Sequence, residues 1–178
     1  MPVSQFNLET NQRAERKKLI TVAEWKEGTT TVRTILGRRT EDSSVEYNAN
    51  VETLTDVLGI TYTEVEYTQP QQTFDAHPIM GGDRLGEKID DIRRRNAVSE
   101  YSQFTVYLIE AYKGTSGAYE AECHQGCTIY PSSLGGDSKV NMPLEVHLSN
   151  NYNDTGAPGL GTVDKLTDDF VFTPATVG

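Results

Sequence analysis

The stretch from Gly81 to Asn96 constrains the fold most tightly, because it is the only part of the sequence with a clear helical period. Leu85, Ile89 and Ile92 fall at i, i+4 and i+7, so their side chains share one face. Asp83 suits the N-cap, where its carboxylate accepts a backbone N–H. Arg93, Arg94 and Arg95 crowd the last turn, where the helix dipole favours cations. Asn96 suits the left-handed residue that ends a helix. Gly86 counts against the helix, since an interior Gly costs roughly 1 kcal/mol relative to Ala. The apolar stripe is narrow and needs a surface to lie on, and the remaining apolar segments read as strands. A run of three arginines also fits a nucleic-acid patch, but the helix terminus and solvent already account for it. The chain is therefore expected to be mainly β. It reads as a two-sheet β-sandwich or barrel flanked by one short α-helix, with extended N- and C-terminal arms and a projecting hairpin loop.

The strands follow from period-two patterning and β-branched content. Leu19 to Trp25 turns at Lys26-Glu27-Gly28 and pairs back through Thr30 to Leu36. The charged stretch Gly37 to Ser44 reads as a projecting hairpin tip. After it, Val45, Tyr47, Ala49 and Val51 alternate with polar residues, and the strand runs on toward Leu54. Beyond a turn at Asp56 to Gly59, Ile60 to Thr68 has one face that starts apolar and turns acidic, from a bulge or from leaving the core midway. Tyr47, Tyr62 and Tyr67 look like sheet packing. Gln71 to Asp75 is an extended approach to the helix. Phe104 to Ile109 is apolar on both faces and reads as a central strand. Ala118 to Tyr130 is long, with a possible bulge at Gly126. Met142 to Ser149 follows, then an Asn- and Gly-rich flexible loop at 150–161. Thr162 to Leu166 and Phe170 to Phe172 are short closing strands.

Charge narrows the function. With 26 acidic against 16 basic residues, the formal net charge is -10. A protein that grips nucleic acid needs a basic surface, and this balance points the other way. No run approaches the ~18 apolar residues of a membrane span. The start of the chain has no apolar core of signal-peptide length, so synthesis in a cytoplasm is expected. The two cysteines, Cys123 and Cys127, are too few for a disulfide framework. With His124 they are zinc ligands by type. On a regular strand, however, the two thiols face one side and the imidazole the other, so no site is expected there. Gly81-Gly82 and Gly135-Gly136 lack the Lys and the βαβ frame of a phosphate loop, and no Gly-x-Ser-x-Gly elbow is present. The expectation is a non-enzyme, with no catalytic residues, metal or cofactor.

The order of elements resembles a known family. The carrying features are a polar arm, a hairpin with a charged tip, and the strand Tyr62-Thr63-Glu64-Val65-Glu66-Tyr67. Next come Gly81-Gly82-Asp83 opening a lone helix, Phe104 to Tyr112, the strand Tyr119 to Pro131, Ser132-Ser133-Leu134-Gly135-Gly136-Asp137, and Leu144-Glu145-Val146-His147-Leu148. Over residues 18–150 this resembles the major tail (tail tube) proteins of long, non-contractile-tailed bacteriophages (siphophages). Contractile tail tubes, type VI secretion tubes and phage-derived bacteriocins have similar folds.

The resemblance implies hexameric rings whose inner sheets join into one barrel, stacked into a hollow tube that conducts the viral DNA into the host. It implies an N-terminal arm at 1–17, a tail-tube domain at 18–166 and a C-terminal arm at 167–178, the arms bridging subunits. Asp83, Leu85, Ile89 and Ile92 would belong to the flanking helix. Arg38, Arg39, Glu41, Asp42 and Ser44 would reach the adjacent ring. Glu64, Glu66, Glu120 and Glu122 are candidates to face an acidic lumen, with outer solvent the alternative for each. The implied partners are further copies of the chain, a tape-measure protein and viral DNA in the lumen, and the tail terminator and baseplate, with no membrane. The implied location is the virion tail, after assembly in the host cytoplasm. The stretch 150–161 departs from the pattern. A carbohydrate- or receptor-binding β-sandwich module of a phage is the alternative, with Tyr47, Tyr62, Tyr67 and Tyr152 as an aromatic platform. A small metal enzyme using Cys123, Cys127 and His124 is a third reading.

Overall fold

The lone helix lies where its stripe requires. In the computed structural model, which describes residues 5–149 and 159–176, the α-helix α1 runs Arg84–Arg95. Leu85, Ile89 and Ile92 are fully buried. The Asp83 carboxylate caps the N-terminus by accepting from the Gly86 N–H at 3.1 Å. Asn96 closes the other end in the left-handed conformation, φ 53° and ψ 34°.

The protein is mainly β, with one large antiparallel sheet, a second small sheet and the helix. The strands are β1 (Leu19–Glu27), β2 (Thr30–Ile35), β3 (Val45–Glu46), β4 (Ala49–Thr55), β5 (Thr61–Tyr67) and β6 (Gln71–Phe74) before α1. After it come β7 (Phe104–Thr115), β8 (Ala118–Pro131), β9 (Leu144–His147), β10 (Leu160–Val163) and β11 (Phe172–Pro174). Nine strands form the large sheet in the order β2-β1-β7-β8-β9-β6-β3, with β10 and β11 branching from β8. β7, expected as a central strand, lies between β1 and β8.

β8 joins two ladders. Its first half pairs with β7 and β10, and Thr128 to Pro131 pair with β9. The expected bulge at Gly126 lies between them, where φ is +67° and the register against β7 slips. There the sheet folds onto itself. Trp25, Val32, Phe104 and Val106 from one limb therefore share a core with Phe74, Leu144 and Val146 from the other, and α1 closes it. A buried polar bridge ties the limbs: Thr21 Oγ1 donates to Gln72 Oε1 at 2.8 Å, and Gln72 Nε2 donates to Ser43 Oγ at 3.0 Å.

A second, smaller core sits on the opposite face of the β1–β7–β8 limb. Val22, Tyr107, Ile109, Ala121, Cys123 and Val163 bury Phe170 there. Arg33 secures that segment, donating from Nε to Glu24 at 2.6 Å and from Nη1 to the Phe170 carbonyl at 2.5 Å. The domain boundary expected at 166 thus falls inside a core, and residues 167–176 lie on their own subunit. The N-terminal arm also touches its own sheet, through the Asn7 N–H on the Tyr112 carbonyl at 2.7 Å.

Candidate functional site

Two expectations about projection are corrected together. The stretch Gly37 to Ser44 is not a hairpin tip, because β2 pairs with β1 and β3 pairs with β6. It is a connection held flat. Thr40 Oγ1 donates to the Ala76 carbonyl at 2.7 Å, and Ser43 Oγ donates to the Thr73 carbonyl at 2.8 Å. Arg38, Arg39, Glu41, Asp42 and Ser44 are all exposed on it. Sequence patterning read it as projecting because it is charged and lies between strands, but charge reports exposure, not protrusion.

The hairpin that projects is β4–β5. Its strands pair only with each other, from Ala49↔Tyr67 to Thr55↔Thr61, without a register slip. Every residue from 46 to 69 is exposed. The neck is built by Asn48 and Gln69, both with positive φ (48° and 51°), where the chain turns out of the large sheet. Asn48 Nδ2 donates to the Gln69 carbonyl at 2.9 Å and clamps the two legs. At the far end, the Asp56 carboxylate accepts from the Leu58 and Ile60 N–H groups at 2.8 and 3.0 Å and shapes the turn.

The hairpin has two unlike faces. One carries Ala49, Val51, Val65 and Tyr67, then Thr53, Thr55, Thr61 and Thr63, with no charge. Tyr47 and Tyr67 lean together at its base, ring centroids 5.4 Å apart. The other carries Asn50, Glu52, Glu64 and Glu66, with Leu54 and Tyr62 nearer the tip. Glu52 and Glu64 are directly opposite, a like-charge pairing that destabilises an isolated hairpin. The tip presents Val57, fully exposed, and Leu58, 79% exposed. The sheet packing expected of Tyr47, Tyr62 and Tyr67 is limited to the contact between Tyr47 and Tyr67, and all three side chains are exposed. The mixed face of β5 reflects neither a bulge nor a strand leaving the core, since the whole hairpin lies outside the core.

The other candidate acids are placed differently. Glu120 and Glu122 lie half-buried on β8, opposite Glu110 and Leu108 of β7. Glu122 meets His124 Nε2 at 3.1 Å. Nothing pairs β5 with β8, so the two pairs of candidate acids belong to separate parts of the molecule.

The cysteines do not share a face. The extra residue at the Gly126 bulge turns Cys127 into the main core, while Cys123 stays in the smaller one. Burial pushes the Cys127 thiol up to about 11. Among the described residues, no group of three His, Cys, Asp or Glu side chains converges as metal ligands. The Tyr130 hydroxyl donates to Glu145 and stacks its ring on His147 beside an open cavity of about 460 Å³. That bond holds the Tyr130 hydroxyl protonated, above its ordinary range.

At the start of α1, His77 Nε2 lies 2.6 Å from Asp83 Oδ2. Burial raises the Asp83 carboxyl, but the hydrogen bonds from His77 and Gly86 outweigh it and hold the group below the ordinary aspartate range. Gly86, which counted against the helix, makes this room: a Cβ there would come 2.5 Å from Asp83 Oδ2.

In comparisons with protein-family models, with curated proteins and with solved structures, nothing matches this chain. No helix among the described residues is long and apolar enough to cross a membrane. Tyr152 and residues 150–158 of the 150–161 loop lie outside the described residues; its last two residues, Leu160 and Gly161, are not loop but the start of β10.

Proposed function

We propose that the chain is the structural subunit of a phage tail tube, forming hexameric rings that stack around a lumen through which viral DNA passes. The observation that carries this reading is the β4–β5 hairpin. It exposes Val51, Val57, Leu58, Ile60, Val65 and Tyr67, and its two strands pair with no strand of the large sheet. Exposed apolar surface of this extent marks an interaction site, and a two-stranded hairpin is only marginally stable alone. An arm of this kind gains its packing from another chain. The resemblance of element order to tail tube proteins makes that chain a second copy. Repeated head-to-tail, such a contact does not close and builds a filament.

The charge is compatible with the lumen. Six copies at -10 each carry about -60 per ring, a field that repels phosphate and lets DNA slide without binding. Glu120 and Glu122 are the acids we assign to the lumen; the hairpin acids serve a contact between copies. The tape-measure protein occupies the lumen before the DNA, and terminator and baseplate proteins close the two ends.

Electron microscopy of the purified protein, fresh and after concentration, tests the proposal. Hollow rings or tubes are expected. A second reading, a carbohydrate-binding module, draws on the exposed ring pair Tyr47 and Tyr67. Monomers at every concentration would overturn the tube, and specific glycan binding by those monomers would favour the module.

A further inference from the structure

The hairpin's complement lies on the same molecule, around the Gly81-Gly82 turn before α1. An apolar groove of about 260 Å³ is lined there by Ile79, Met80, Leu134 and Val140 against the edge of the helix. All four side chains are exposed, so this is a second uncovered apolar patch. It runs into a neighbouring cavity of about 400 Å³ through Met80 and Asp83, which line both. The second cavity is bordered by Arg38, with Arg39 next along the chain. Both arginines are exposed, and neither joins a salt bridge among the described residues. The groove is also lined by acids of the helix start, Glu87 with Asp83, which meets His77, and Asp90, which pairs with Arg93.

We infer that this two-part groove receives the β4–β5 hairpin of a second copy. The inference rests on the self-assembly reading and names the receiving surface. The match is threefold. Val57 and Leu58 at the tip are the most exposed apolar side chains in the described protein, and they fill the Ile79–Met80–Leu134–Val140 groove. Glu52 and Glu64 lie three ladder positions behind the last pair, Thr55↔Thr61, roughly 10 Å at ~3.4 Å per residue, and are the acids that pair with Arg38 and Arg39 in this contact. The charge-free face of Thr53, Thr55, Thr61 and Thr63 turns toward the acids of the helix start, where a carboxylate face would be repelled.

The pairing also resolves the like-charge opposition of Glu52 and Glu64. Two carboxylates facing each other across a ladder cost stability in the free subunit, and two guanidiniums from a neighbour offset that cost. Each subunit offers one hairpin and one groove at different places. The contact is therefore heterologous and propagates from copy to copy.

The test is a charge exchange read by tube growth, followed by light scattering and electron microscopy of the full chain. Arg38→Glu with Arg39→Glu, and separately Glu52→Lys with Glu64→Lys, are each expected to raise the protein concentration needed for tubes at least roughly tenfold. The two variants mixed restore opposite charges only where they alternate, whereas one protein carrying all four changes restores them at every contact and is the decisive one. It should recover to within about threefold of the wild type. Leu58→Asp should block growth while the Trp25 fluorescence of the folded monomer is unchanged, since Leu58 touches no core. If wild-type tubes form but the single-side reversals grow normally, or the four-fold exchange fails to recover, this groove is not the receiver, and the tube reading stands without it. A wild-type chain that stays monomeric at every concentration overturns both.

Discussion

Gly86→Ala separates the logic of the helix from that of its surroundings. In a helix interior Ala is about 1 kcal/mol better than Gly, so propensity alone makes this substitution stabilising. The structure reverses the sign. The new methyl group would come 2.5 Å from Asp83 Oδ2 and 3.1 Å from Asp83 Cγ, and Gly86 is itself buried. The carboxylate has to swing away. Doing so breaks the cap on the Gly86 N–H, which is worth about 1 kcal/mol, and the bond to His77, worth about 1.5–3 kcal/mol for a hydrogen bond to a charged group. Partial relaxation and the propensity gain leave a net loss of about 1–2 kcal/mol, or a fall in Tm of about 3–6 °C for a chain of this size. Urea unfolding followed by Trp25, which is buried in the main core, reads the change directly. The paired control is Gly86→Ala in an Asp83→Ala background. With no carboxylate to displace, the methyl group should become neutral or stabilising. The pH dependence has a fixed sign. Because the folded-state Asp83 carboxyl is held below its ordinary value, its contribution is fully present above the ordinary aspartate range and fades as pH falls through the depressed folded-state value. The penalty of Gly86→Ala should therefore shrink on acidification. A single Gly86→Ala variant more stable than wild type at neutral pH would refute this account of the glycine.

Two further expectations concern the ends of the chain and the thiols. Phe170→Ala should cost about 3–5 kcal/mol, as for a fully buried aromatic, because Phe170 packs edge-on to Tyr107 at 5.0 Å within the subunit; a loss under about 1 kcal/mol would return residues 167–176 to the role of an arm that leaves its own domain. Cys123 and Cys127 should resist a thiol reagent at pH 8 until the protein unfolds, both being buried and Cys127 holding its proton to about 11; fast labelling of the native protein would contradict the two-core arrangement.

The helix was legible almost residue by residue. Asp83, Asn96 and the Leu85–Ile89–Ile92 stripe act through contacts within a few positions of one another, and such contacts are written in local order. Gly86 was misjudged because its value lies in His77, which reaches the cap from the preceding loop. The bulge at Gly126 was read correctly, but its consequence for Cys123 and Cys127 was not, since the faces were assigned as if the strand were regular. β6 was read only as an approach to the helix. It is the strand that carries Gln72 to Thr21 and ties the two limbs, and Thr21 lies far along the chain.

The candidate assembly surface marks the limit of the sequence most clearly. Alternation over Val45 to Val51 reads as one strand, which the structure breaks at Asn48 into β3 and β4, while over Ile60 to Thr68 it correctly signals a strand with two unlike faces. It carries no information on what covers the apolar face, because a strand facing its own core and a strand facing another chain have the same period. Sequence by itself determined the β character, the single helix with its caps, the turn at Asp56 to Gly59 and the acidic charge. Those follow from local backbone preference and composition. Only the tertiary structure decided that residues 37–44 lie flat and that residues 46–69 stand clear of the domain. It also decided that the C-terminal segment folds into its own core. Each of these depends on which distant strand wins a ladder of hydrogen bonds and an apolar contact, and that competition is settled in three dimensions.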